Sequence, residues 1–126
     1  MTQEQKDLLL KDLCSRLPYG VKVEYENEIF DVEYVCPMYE EVKLDNHETW
    51  TINIDEVKPY LFPLSSMTEE QQSEYHNNCD VGLTEWGNEL YYDCTESFDW
   101  LLKNKFDIYG LIPMGLANDA TDKNIY

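Results

Sequence analysis

Alternation of apolar and polar residues is the feature that most limits what this chain can fold into. In residues 21–34, VKVEYENEIFDVEY, apolar side chains take every second position on both sides of a polar centre. This period is typical of half-buried strands. The pattern predicts a β-hairpin with a loop at 27–28. The predicted pairs are Val23 with Val32 and Tyr25 with Phe30 on the buried face, which Tyr34 extends, and Lys22 with Glu33 and Glu24 with Asp31 on the wet face.

The rest of the chain supplies a second hairpin and three helices. Alternation at 41–45 and 49–54 predicts strands joined at 46–48, with Trp50 and later Trp100 facing inward. Thr2 and Gln5 resemble a capping box ahead of an amphipathic helix at 3–16. A second helix covers about 68–78, and its cap is either Ser66 with Glu69 or Thr68 with Gln71. Thr95 begins a third helix, in which Phe98, Leu101 and Leu102 face inward.

The remaining segments carry breaks. Pro59 and Pro63 make residues 55–65 an irregular connection, because proline does not continue a central strand. Residues 80–93 are expected to form a loop with a short strand at 89–92, and the polar residues 118–126 are expected to fray. We therefore predict one α+β domain over 1–126, with a four-stranded, mainly antiparallel sheet, an N-terminal helix and two helices in the C-terminal half.

The charge of the chain restricts its partners. It carries 26 acidic residues against 9 basic ones, a net charge of −17. Such a charge repels nucleic acid and anionic lipid surfaces, which bind through lysine and arginine. We expect neither nucleic acid nor membrane as a partner. The stretch MTQEQKDLLLKDLC lacks the basic and apolar regions of a signal peptide, and the four cysteines are widely spaced, so free thiols and a cytoplasmic location are expected.

The acids are unevenly distributed. Seven lie between Lys22 and Lys43 with no base among them, and nine lie between Lys58 and Lys103, again with no base. This layout fits either a solvated acidic face or a preformed negative surface for a basic groove. Aromatic residues framed by acids in 80–93 add an interface signature, although the same rings would also suit the core. The predicted partner-binding residues are Glu24, Glu26, Asp31, Glu33, Glu85, Trp86, Glu89, Tyr91, Tyr92 and Asp93.

Catalytic and metal-binding motifs are weak in this sequence. Acids that alternate outward are solvated, whereas catalytic carboxyl groups need surroundings that separate their pKa values. His76 and Cys79 lie at helical spacing, but zinc takes about four ligands and no second pair follows at a suitable distance. No glycine-rich phosphate loop and no GxSxG motif occur. We expect no enzyme activity, no cofactor and no metal.

Three segments carry a resemblance to a known group of proteins. LLLKDLCSRLPYGVKV at 8–23, VKPYLFPLSSMTEEQ at 57–71 and FDIYGLIPMGLANDA at 106–120 resemble small conserved proteins of Bacteroides-type phages, prophages and mobile elements. That family has no assigned function and no catalytic residues to transfer. The resemblance implies a bacterial host cell and a phage or mobile-element origin.

Charge and resemblance together favour an acidic interaction protein. It would bind a basic surface of a host protein, such as a nucleic-acid-handling or defence factor, and occupy or inhibit that surface, in the manner of a nucleic-acid mimic. Two alternatives stay open: a structural or accessory phage protein whose charge serves solubility, and an immunity-type protein that neutralises a basic nuclease toxin. A small hydrolase is a more distant enzyme alternative.

Overall fold

The alternating stretch forms the predicted hairpin, with a different turn. The computed structural model describes residues 1–48, 50–77, 80–83, 90–93 and 95–126. Strand β1, Lys22–Tyr25, pairs antiparallel with β2, Glu28–Cys36, so that Val23 faces Phe30. The turn is 26–27, where both residues have positive φ, 50° and 65°, as a type I′ turn requires. The register is therefore shifted by two residues, and each side chain keeps its predicted face because strands repeat every two residues.

A bulge in β2 reverses the alternation towards its end. Val32 pairs with Leu44, but Tyr34 pairs with Lys43 and Val35 with Val42. The extra residue moves Val35 to the core face and turns Tyr34 outward, where it is 40% exposed. The prediction that Tyr34 extends the buried face is therefore wrong, since simple alternation does not anticipate a bulge.

The main sheet has six strands rather than four. Strands β3, Glu41–Leu44, and β4, Ile52–Asn53, form the second hairpin. Strands β5, Lys58–Leu61, and β8, Asn118–Asp119, extend the sheet beyond β1, giving the order β4-β3-β2-β1-β5-β8. All neighbours are antiparallel except β5 and β8. The α+β class is confirmed, and the strand count is corrected to six in this sheet.

The sequence-based prediction missed strand β5 and placed Trp50 on the wrong side, for two separate reasons. Pro59 lies within β5, opposite Val23, whereas the prolines had predicted an irregular connection. Two residue pairs join β5 to β1, so the N–H that proline lacks removes little of this strand pairing. Strand β4 begins only at Ile52, and Trp50 lies before it, 86% exposed. The prediction of an inward Trp50 is wrong because the alternating pattern extends beyond the paired strand.

The C-terminal segment is fastened to the sheet. The backbone N–H of Ala120 donates to the carbonyl of Leu61 at 2.8 Å. The Tyr126 hydroxyl accepts from the N–H of Lys22 and donates to the carbonyl of Tyr60, both at 2.8 Å. This phenol bridges β1 and β5 just beyond their last paired residues. These contacts differ from the frayed tail that the polar sequence predicts.

Helix α1, Gln3–Arg16, covers one face of the sheet. Its capping box is formed as predicted: Thr2 Oγ1 accepts from the Gln5 N–H at 3.1 Å, and Gln5 Oε1 accepts from the Thr2 N–H at 3.0 Å. Leucines of α1 join strand and C-terminal residues in the core. This core consists of Leu9, Leu10, Leu13, Val21, Val23, Val42, Leu44, Ile52, Ile54, Val57, Leu61, Leu111, Leu116 and Ala117.

A buried ion pair ties α1 to the C-terminal half. Arg16, the only arginine of the chain, donates from Nε and Nη2 to the carboxylate of Asp12 at 2.7 and 3.0 Å. Its Nη2 also donates to the carbonyl of Phe106 at 2.6 Å. Both charged side chains are fully buried. Burial raises the pKa of Asp12, against the opposing effect of the Arg16 guanidinium. The carboxylate of the neighbouring Asp107 accepts from the N–H groups of Leu111 and Ile112.

The second half of the chain adds two helices and a small sheet. Helix α2, Glu69–Asn77, is followed by β6, Asp80–Leu83, and β7, Leu90–Asp93, which pair antiparallel, and by α3, Thr95–Lys103. The sequence predicted one short strand in this segment and no pairing.

Side chains of α3 follow the prediction in part. Leu101 and Leu102 are buried, but Phe98 is 37% exposed, so its predicted inward position is wrong. Trp100 is half-buried and stacks on Phe106, with ring centroids 5.7 Å apart. Within the described ranges, no helix has the length and apolar character needed to span a bilayer.

Candidate interaction surface

The acids predicted on the wet face of the hairpin lie beside lysines. Lys22 Nζ contacts Asp31 Oδ1 at 3.0 Å, and Lys43 Nζ contacts Glu33 Oε2 at 3.7 Å. Asp31 and Glu33 are exposed, as predicted, whereas Glu24 is half-buried. Strand pairing brings these lysines beside the acids: Lys22 is the register partner of Asp31, and Lys43 lies opposite Tyr34, next to Glu33.

Glu24 has partners from β5. Lys58 is its register partner on that strand, and the Tyr60 hydroxyl donates to Glu24 Oε2 at 3.3 Å. Burial raises the pKa of Tyr60, and the nearby Glu24 carboxylate raises it further. On the outer face of the hairpin, Glu24, Asp31 and Glu33 thus each have a lysine beside them, which partly offsets their charge. Glu26 lies apart from this face, exposed in the turn.

A second acidic surface lies on α2 and α3. It comprises the exposed acids Glu69, Glu70, Glu74 and Asp99, which we call the helical acids. No lysine or arginine occurs between Lys58 and Lys103 in the sequence. Salt bridges between described residues involve Asp12, Asp31, Glu33, Glu40 and Asp55. Glu69, Glu70 and Asp99 take part in none of these bridges. Lys103 lies one helical turn from Asp99, so four acids and one lysine leave this surface with a net negative charge.

Helix α2 is anchored through its cap and its rings. Thr68 Oγ1 accepts from the Gln71 N–H at 3.2 Å, and Gln71 Oε1 accepts from the Thr68 N–H at 2.9 Å, which selects the second of the two predicted caps. Glu74 Oε2 accepts from Trp100 Nε1 at 3.3 Å. The Tyr75 ring lies 6.1 Å from that of Trp100. No residue of α2 is buried, so this helix contributes little to the core.

The other predicted site residues are only partly described. Glu85, Trp86 and Glu89 lie outside the described residues. Tyr91, Tyr92 and Asp93 lie on the backbone of β7, paired with β6. Their assignment to partner binding stays a prediction.

Metal ligands and thiols do not form a second site among the residues that the structure describes. No group of three or more His, Cys, Asp or Glu side chains there is arranged to hold a metal ion. His76 is exposed on α2, and Cys79 lies outside the described part. Cys14 and Cys36 are free thiols, and burial raises the pKa of Cys14. Cys79 and Cys94 are not among the described residues.

Comparison with known proteins adds no relative. No family model matches the chain, and neither the curated proteins nor the solved structures gave a match.

One feature of this surface escaped sequence reasoning. An open groove of about 340 Å³ lies beside α2, lined by Leu64, Met67, Gln72, Tyr75, His76 and Leu101. These residues come from the turn after β5, from α2 and from α3, so no single periodic pattern contains them. In the sequence, the apolar residues Leu64 and Met67 around two serines were the signal that could have indicated this groove.

Proposed function

We propose that the protein is a non-enzymatic interaction protein that binds a basic surface of another protein through acidic side chains. The expected setting is the cytoplasm of a bacterial cell, with the phage or mobile-element origin that the sequence resemblance implies. The observation that carries the proposal is the run of nine acids without a base between Lys58 and Lys103. Four of these acids are the exposed helical acids.

The physical basis is charge complementarity. A surface of one sign attracts an oppositely charged partner from a distance and speeds encounter, and this effect weakens as salt rises. The same charge disfavours nucleic acid as a direct ligand. A basic groove that normally holds a nucleic acid is a suitable partner, because it presents the lysines and arginines that such a surface attracts. Occupying that groove would inhibit it.

The balance of charges favours the helical acids over the hairpin as the contact surface. On the hairpin face each of Glu24, Asp31 and Glu33 lies near a lysine, which reduces its attraction for a basic partner. Glu69 and Glu70 have no lysine or arginine close to them in the sequence, whereas Asp99 has Lys103 one helical turn further along α3. The hairpin acids and residues 85–93 stay predicted contributors, and the helical acids become the principal one.

Capture from a bacterial lysate with two matched variants tests the proposal. The helix variant carries Glu69→Gln, Glu70→Gln and Asp99→Asn. The hairpin variant carries Glu24→Gln, Asp31→Asn and Glu33→Gln and removes the same three charges elsewhere. We expect the native protein to retain a basic protein at low salt and release it at high salt. The helix variant should retain less than the hairpin variant. Failure to retain any basic protein, or equal retention by native protein and both variants, would contradict the proposal.

A further inference from the structure

The groove beside α2 combines an apolar lining with an acidic border. Leu64 is 48% exposed in the turn before α2, while Leu101 of α3 is 8% exposed and forms the inner wall. Tyr75 supplies an aromatic side. The volume, about 340 Å³, is at the lower end of the range of ligand pockets, about 300–1,000 Å³. Such a groove accommodates one or two apolar side chains.

The acids of α2 border this groove because of helical spacing. Gln72 and His76, which line it, are four residues apart and share one side of α2. Glu69 precedes Gln72 by three residues and so lies on the same side, one turn earlier. Glu74 faces α3, where it contacts Trp100 at 3.3 Å. A segment lying in the groove would therefore pass close to the carboxylates of Glu69 and Glu74.

Both features select the same kind of occupant. We propose that the groove binds a basic segment of a partner protein, with an apolar side chain inserted between Leu64, Tyr75 and Leu101 and with flanking lysines or arginines meeting the acids of α2. This inference rests on the proposed function and adds the contact by which the partner is held. An apolar anchor in a pocket supplies affinity, and the surrounding charges supply orientation and encounter rate.

The weak packing of α2 is consistent with a binding role. The helix buries no residue of its own, and Leu64 and Met67 leave apolar surface open beside it. An inserted side chain would remove that surface from water, which is favourable in proportion to the apolar area covered. Binding should therefore also slow hydrogen exchange of the α2 amides.

Two short synthetic peptides test the groove with the full-length chain. One contains lysine and leucine, and the other has serine in place of each leucine. Backbone amide shifts of the isotope-labelled protein are followed at about 150 mM salt, where exposed charges are screened beyond about 8 Å. We expect the lysine–leucine peptide to bind more tightly and to shift amides of residues 64–77 and 98–102.

Three variants locate the contact. Leu64→Ser removes an apolar wall, and Gln72→Phe fills the groove from an exposed position, so each should weaken the lysine–leucine peptide about fivefold or more. Met38→Ser is the matched control, because Met38 is 85% exposed and lies between β2 and β3. It should leave affinity unchanged.

The possible failures are distinguishable. Equal binding of the two peptides, or no effect of both Leu64→Ser and Gln72→Phe, overturns the groove and leaves charge-driven binding in place. Amide shifts confined to residues outside the groove have the same meaning. If neither peptide binds even at about 20 mM salt, where screening is weak, the groove and the proposed function both fail.

Discussion

The two acidic regions of the molecule differ in how their charge is balanced and how firmly they are held. On the hairpin, Asp31 and Glu33 contact lysines of the same sheet, and the strands beneath them share the core with α1. On α2, Glu69 and Glu70 have no lysine or arginine close to them in the sequence, and α2 buries no residue. On α3, Asp99 has Lys103 one helical turn away. Acidic sequence alone does not distinguish these regions. The difference arises from which strands bring lysines alongside.

This contrast suggests that one region stabilises the fold and that the other is suited to binding. The sheet and α1 form the stable body, in which several surface acids lie beside lysines. The α2–α3 region carries more acids than lysines next to an open groove. A surface that binds a partner is expected in the second kind of region, because loosely held elements adapt at low cost.

The largest expected effect concerns the buried ion pair of the stable body. Arg16→Met would leave Asp12 buried without its partner, so we expect a loss of about 3–5 kcal/mol in the free energy of unfolding, measured by urea denaturation. Lys11→Met is the matched control, since Lys11 is exposed on the same helix, with Nζ 5.2 Å from the Tyr109 ring centroid. It should cost less than about 1 kcal/mol. Similar losses for both variants would contradict the role of the pair.

Two identical helix caps allow a direct comparison of the regions. Thr2 caps α1 and Thr68 caps α2, each with a glutamine three residues later. Thr2→Ala should lower the free energy of global unfolding by about 1 kcal/mol, because α1 belongs to the core. Thr68→Ala should instead speed hydrogen exchange of the α2 amides and change global unfolding by less than about 0.3 kcal/mol, because we expect a helix that buries no residue to open locally. Equal global losses would show that α2 is as firmly integrated as α1.

The smallest effect concerns the Tyr126 bridge between β1 and β5. Burial raises the pKa of Tyr126 to about 12, whereas in the unfolded chain the phenol ionises near pH 10. The unfolded chain therefore loses this proton first, and the stability contributed by Tyr126 is present below about pH 10 and is lost as the pH rises towards 12.

The comparison with Tyr126→Phe isolates this effect. Because Tyr126 is 44% exposed, solvent screening limits the loss to about 1 kcal/mol. The native protein should lose stability between about pH 10 and pH 12 more steeply than Tyr126→Phe, as measured by urea denaturation at each pH. Parallel pH profiles for the two proteins would show that the hydroxyl does not bridge the strands.

Much of the fold was predictable because local patterns and tertiary structure agree. The capping box at Thr2, the α1 helix and the faces of β1 follow from residue type and period. The prediction of which side chains share a face stayed correct although the turn was misplaced, because the register moved by two residues. The positions of Tyr34 and Trp50 were not predictable, because a bulge and an early strand end depend on pairing partners elsewhere in the chain.

The candidate surface was predictable in composition but not in arrangement. The sequence contains the acids, yet it does not show that Lys43 reaches Glu33 or that Lys58 lies beside Glu24, since these neighbours depend on strand register. The groove was missed for the same reason. Leu64, Tyr75 and Leu101 come from three elements, and nothing in the local sequence brings them together.

We propose that the helical acids, rather than the hairpin acids, attract a basic partner. The most direct measurement is the association rate of the lysine–leucine peptide with the native protein, the helix variant and the hairpin variant, at about 20 and about 150 mM salt. We predict that the helix variant lowers the association rate about fivefold or more at the lower salt and reduces its salt dependence, while the hairpin variant stays within about twofold of the native protein. A hairpin variant that slows association as much as the helix variant, or more, would contradict the claim.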